Sequence, residues 1–134
     1  MPHTIDHLGI AVKSLAQARK FYEQIGLDVA EEETVPHEKV KVAMVPLGES
    51  RIELLEATSD DSPIARFIAK RGEGLHHVSL RVDDLSAAVE QLKKNGVRMV
   101  SDEIKIGAGG HRIFTSCAPV ACSGFLAWHP CASR

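Results

Sequence analysis

Residues 5–18 read IDHLGIAVKSLAQA, and residues 75–88 read LHHVSLRVDDLSAA. A histidine occupies the same slot in both, at His7 and His77. In the first copy Leu8, Ile10 and Val12 alternate with His7, Gly9 and Ala11. That period of two belongs to a strand with one apolar face and one small or polar face. Ser14 then suits a helix N-cap. Leu15, Ala18, Phe21, Tyr22 and Ile25 recur at helical spacing, and Gly26 is placed to end the helix in a left-handed conformation. In the second copy Val78, Leu80 and Val82 face away from His77, Ser79 and Arg81. Asp84 takes the capping slot, Leu85, Ala88, Val89 and Leu92 form the stripe, and Gly96 is the stop. The register is unbroken over 5–27 and 75–97.

Working outward, Leu27–Glu33, KVKVAMVPL and RIELLEA read as three strands after the first helix, the last two joined by a turn at GES. VRMVSDEIKI and HRIF supply two strands after the second helix, and a third is expected near Val120–Ala127. Between the copies, Ser62 as cap and Pro63 at the first helical position open a short helix pinned by Ile64, Phe67 and Ile68, with RGEG as the loop beyond it. The expectation is an α+β fold of two tandem βαβββ modules. Their pseudo-symmetric pairing makes a cupped mixed sheet, whose apolar faces meet the helices and whose other faces line a shared concavity. The boundaries are module one at about 3–57, a connecting helix at about 62–71 and module two at about 74–134, in one domain of 134 residues.

Composition agrees with one globular domain: 44% hydrophobic and 25% charged residues are ordinary values. A net charge of -2 gives no reason to expect nucleic acid or an anionic membrane surface as partner. No run of about eighteen apolar residues exists to span a bilayer. The opening MPHTIDHLG lacks the basic and apolar regions of a signal peptide, so the cytoplasm is the expected location. The last stretch, 115–134, differs from the rest. Cys117, Cys122, Cys131 and Trp128 all lie there, and no acid follows Glu103. An odd number of cysteines without zinc-type spacing suggests neither a disulfide framework nor a thiolate metal site.

A lone strand histidine is usually structural. Two in equivalent slots of a repeat, both opposite the apolar side chains, point instead to a metal, since neutral imidazole is the commonest metal ligand. Two imidazoles need one or two oxygen ligands to complete a divalent site with an open position. Glu53 is the best candidate, because Ile52 and Leu54 point one way and Glu53 the other. A carboxylate between apolar neighbours is costly unless paired or metal-bound; the plainer reading is a sheet-edge glutamate facing water. Glu56 has a weaker case at the strand end. His76 points away from His77 and suits a structural role, while His111, after GAGG in a loop near a strand, is a weaker candidate for a ligand contact.

These residues carry a resemblance. IDHLGIAV, IELLE, DSPIARFI, GLHHVSLRVDD and DEIKIGAGGHRIF, together spanning about residues 3–114, resemble the methylmalonyl-CoA epimerases of the vicinal-oxygen-chelate (glyoxalase/bleomycin-resistance) superfamily. The resemblance implies paired βαβββ modules around a divalent metal held by His7, His77 and Glu53. It implies epimerisation of methylmalonyl-CoA, an acyl-CoA thioester, at the carbon next to the thioester carbonyl through a metal-stabilised enolate. It also implies a homodimer. The donor set suits Co, Zn, Mn, Ni or Fe, with cobalt the leading expectation. Glu53 is the acid to test for proton transfer. In the GAGGHR loop, the Gly109 backbone and Arg112 are the candidate substrate contacts.

The chain departs from the family pattern at two places. A second family acid would fall at Lys41. The family's final-strand glutamate would fall near Ala127, and the repeat partner of Glu53 is Ser123. The expectation is therefore an atypical last strand and an activity impaired by it; the compositional break after Phe114 is what a shifted reading frame would leave. Two alternatives stand beside the epimerase: a glyoxalase I-type lyase, and a small-molecule-binding protein of the same fold without chemistry.

Overall fold

The computed structural model of the chain describes residues 4–97, 105–106, 112–116 and 126–128. Its elements follow the expected order twice. Strand β1 (Thr4–Ala11) leads into helix α1 (Leu15–Gln24) and then strands β2 (Glu33–Val35), β3 (Val40–Leu47) and β4 (Ser50–Ala57). Helix α2 (Pro63–Arg71) connects to strand β5 (Gly74–Arg81), helix α3 (Leu85–Lys94) and strands β6 (Lys105–Ile106), β7 (Arg112–Ser116) and β8 (Leu126–Trp128). This is the α+β class expected. Two compact units emerge, residues 8–76 and residues 1–7 with 77–134.

In residues 8–76 the strands run β2-β3-β4-β1. β3 and β4 form a hairpin whose register closes at Leu47 and Ser50, around a two-residue turn in which Gly48 holds a φ of 58°. β1 lies parallel to β4 with Gly9 opposite Glu53. Leu15, Ala43, Val45, Leu54 and Val12 form the core, with Ile10, Ala18, Tyr22, Leu27, Val29 and Ile52 packed against it. The apolar strand face thus meets α1, as the alternation requires. In the other unit the strands run β5-β8-β7-β6, with β8 antiparallel to β5 and parallel to β7.

The helix ends explain the repeat. The Ser14 hydroxyl accepts from Gln17 N, and the Asp84 carboxylate from Ala87 N. Gly26 and Gly96 adopt φ of 87° and 72°, left-handed values that favour glycine. Each helix ends on the same pair of backbone bonds: Gly26 N to Glu23 O and Leu27 N to Tyr22 O, then Gly96 N to Lys93 O and Val97 N to Leu92 O. Such a C-terminal motif satisfies the last carbonyls of a helix.

Three expectations need correction. Leu27–Glu33 is not a strand; only Glu33 joins β2, and residues 27–32 are irregular. The Arg19 guanidinium donates to the carbonyls of Val29 and Ala30, and Ala30 N bonds Met44 O, so a side chain takes the acceptors a strand partner would have used. Phe21 and Ile25 do not belong to the buried stripe, being 59% and 60% exposed. Phe21 lies about 120° around the helix from Leu15, and Ile25 is already the C-cap. RGEG is not wholly loop, because Arg71 closes α2 and Gly74 opens β5. The strand expected at 97–106 is described only at Lys105–Ile106, and the final strand at Leu126–Trp128; the remainder of both stretches lies outside the described residues.

Candidate metal centre

β1 and β5 bring the two repeat histidines together. Both are buried, with 7% exposure each. Their Nε2 atoms lie 3.0 Å apart, and the rings meet edge to face with centroids 5.1 Å apart. On both strands the histidine side is the more closed: His7, Gly9 and Ala11 are buried beside half-buried Leu8 and Ile10, as are His77 and Ser79 beside Val78 and Leu80.

Glu53 is also buried, at 7% exposure. The edge-strand reading of it fails, because β4 has a neighbour on each side, Met44 of β3 and Gly9 of β1 standing opposite Glu53. Among the described residues, His7, Glu53 and His77 form a group able to hold a metal ion, each offering one ligand atom, all within 4.8 Å of one another. The fit is chemical as well as spatial. Two imidazole nitrogens and a carboxylate oxygen are a common set for a divalent first-row ion. A metal–nitrogen bond of about 2.1 Å lets one ion touch both Nε2 atoms across their 3.0 Å separation.

The ring of His7 is held from behind. Its Nδ1 lies 2.7 Å from Asp6 Oδ2. Asp6 Oδ1 in turn accepts from Arg81, at 3.2 Å from Nε and 2.7 Å from Nη2. Sequence reasoning passed over Asp6 and Arg81. The signal was present: by strand alternation Asp6 shares its side of β1 with Leu8 and Ile10, an apolar row in which an unpaired acid is costly. His76, by contrast, behaves as read. It is 5% exposed and meets the Phe67 ring edge to face at 4.9 Å, a packing role.

The other sites divide plainly. Lys41, where the resemblance would place an acid, bonds Glu56 at 3.1 Å, and that hydrogen bond raises the lysine above its ordinary pKa. Arg112 opens β7 opposite Ile106. Gly109, His111 and Ser123 lie outside the described residues. Ala127 stands opposite Ser79, two residues along β5 from His77.

The chain is similar to known proteins over most of its length. The profile of the Glyoxalase/Bleomycin resistance protein/Dioxygenase superfamily matches residues 6–115. The chain is 41% identical over 124 residues to the mitochondrial methylmalonyl-CoA epimerase of Homo sapiens, covering 91% of this chain and 70% of that protein. It is 38% identical over 109 residues to the ethylmalonyl-CoA/methylmalonyl-CoA epimerase of Cereibacter sphaeroides, covering 79% of this chain and 81% of that one. Among solved structures, a single-residue variant of the Streptomyces coelicolor methylmalonyl-CoA epimerase, in complex with 2-nitronate-propionyl-CoA, aligns at a TM-score of 0.82. It is 31% identical, with 97% of this chain and 96% of that chain covered.

Proposed function

Because the chain belongs to the glyoxalase/bleomycin resistance protein/dioxygenase superfamily and, within it, to the methylmalonyl-CoA epimerases, we propose that it interconverts the two epimers of methylmalonyl-CoA. The reaction inverts the carbon between a carboxylate and a thioester carbonyl. It requires a base on one face, an acid on the other, and stabilisation of the enolate between them. The observation that carries the reading is the buried His–Glu–His group. His7 and His77 are the nitrogen ligands of a divalent ion and Glu53 the oxygen ligand. When bound, the ion supplies Lewis acidity toward the substrate's oxygens.

The protein's own residues do the rest. The closed histidine side of β1 and β5 keeps water from the imidazoles, which strengthens every electrostatic contact there. Glu53 is the carboxylate we assign to proton transfer on one face of that carbon. Gly109 and Arg112 are the proposed substrate contacts, the glycine by its backbone and the arginine by pairing with an anionic group of the acyl-CoA. The ion is cobalt in this reading, and the chain works as a homodimer in the cytoplasm. No helix among the described residues is long and apolar enough to cross a membrane.

The deciding experiment incubates the protein with methylmalonyl-CoA in D₂O, with added Co²⁺ or with a chelator, and follows deuterium at the second carbon. Cobalt-dependent uptake is the expected result. Absence of uptake with cobalt present, or turnover of a glutathione hemithioacetal instead, overturns the assignment.

A further inference from the structure

The side chain of Asp6 has 0% exposure, a place where an unpaired carboxylate is costly. Its two oxygens each meet a charged or polar side chain. Oδ1 receives both Nε and Nη2 of Arg81, and Oδ2 faces His7 Nδ1 at 2.7 Å. Guanidinium stays protonated in proteins and only donates, so it favours the carboxylate form of Asp6, which only accepts. The hydrogen on His7 therefore sits on Nδ1. The lone pair is left on Nε2, the atom 3.0 Å from His77 Nε2.

We propose that Asp6 and Arg81 are positioning residues for His7: Asp6 fixes the tautomer and the orientation of the imidazole, and Arg81 fixes Asp6. The proposal rests on the reading of His7 as a metal ligand. A carboxylate behind a ligating imidazole raises the ligand's basicity and holds its ring toward the ion. Arg81 extends the arrangement by one residue. Its side chain is 55% exposed, so it anchors the buried carboxylate from the surface. The repeat gives no equivalent for His77, since the position before it is His76, which is turned to Phe67.

Asp6→Asn is the informative variant, because it keeps the shape and changes the direction of one hydrogen bond. With the amide oxygen kept on Arg81, the amide nitrogen faces His7 Nδ1 and demands an acceptor there. The ring hydrogen then moves to Nε2 and blocks the ligating atom. The test titrates Co²⁺ into the full chain by calorimetry, with the visible absorption of cobalt as a second reading. Wild type, Asp6→Asn, Arg81→Met and His77→Ala are compared. The expected loss of Co²⁺ affinity is about 10- to 100-fold for Asp6→Asn, less for Arg81→Met, with a changed cobalt spectrum in both. On the metal-free wild type, long-range ¹H–¹⁵N correlation is expected to show His7 protonated at Nδ1.

The outcomes separate. Wild type that binds no Co²⁺, or binds it equally with His77→Ala, overturns the metal centre and the proposal with it. Binding that needs His77 but is unchanged by Asp6→Asn and Arg81→Met overturns the positioning role alone. If Asp6→Asn does not fold, Arg81→Met and the wild-type tautomer decide, and a hydrogen on His7 Nε2 sinks the proposal.

Discussion

The two modules share a frame and differ in what they place on it. Each strand hands its chain to a capped helix, and each helix closes on the same two backbone bonds before a left-handed glycine. Yet the neighbour of His7 is Asp6, bonded to the ring, while the neighbour of His77 is His76, packed on Phe67. The final strands diverge too. β4 offers buried Glu53, whereas β8 runs Leu126–Trp128 and brings Ala127 opposite Ser79. The two modules therefore share their helix-capping bonds and differ in the residues beside their histidines.

The sharpest way to break this asymmetry is to supply the second module with the acid it lacks. Ala127→Glu introduces a carboxylate on the strand paired with β5. Its expected effect is a gain of about tenfold or more in Co²⁺ affinity, over 1 kcal/mol, read by calorimetry, with faster deuterium uptake from the same sample. Unchanged affinity would place β8 away from the ion.

A second comparison concerns the cores. Leu54 is fully buried among Val12, Leu15, Ala43 and Val45. Leu54→Ala should cost about 2–5 kcal/mol, by lost transfer energy plus the cavity left behind. Val89→Ala, on α3, removes two methyl groups and should cost about 1–2 kcal/mol. Urea unfolding midpoints at equal slope measure both. Equal losses would mean that the helix of the second module is packed as tightly as the centre of the first.

The smallest expected effect lies at the caps. Ser14→Ala and Asp84→Ala each remove an acceptor from a helix N-terminus and should cost about 1 kcal/mol. The Asp84 variant should lose more, because its carboxylate also faces the positive end of α3. Added salt should narrow the gap between the two, as thermal melts would register.

The frame was legible because its signals are local. A cap, a stripe and a glycine stop act within one helix, so Ser14, Gly26, Asp84 and Gly96 could be placed without tertiary knowledge. His7 and His77 were legible only through the repeat, which set two ordinary residues in equivalent slots. Glu53 was legible from alternation. What escaped was set by contacts between side chains and distant groups. Arg19 reaches ten residues along to the Val29 carbonyl and unmakes a plausible strand. Arg81 reaches Asp6 across a separation of 75 residues. No periodicity encodes either reach.

The same separation has a mechanical meaning at the histidines. His7 and His77 are 70 residues apart along the chain. Anything that grips both rings turns the intervening thread into a closed ring, as a covalent crosslink would. By chain-entropy reasoning, closing a ring of that size in the unfolded state is worth about 4 kcal/mol. An ion seated there would act as a clasp as well as a reagent. Stripping it would loosen the thread, residues 8–76, from which the first module is wound.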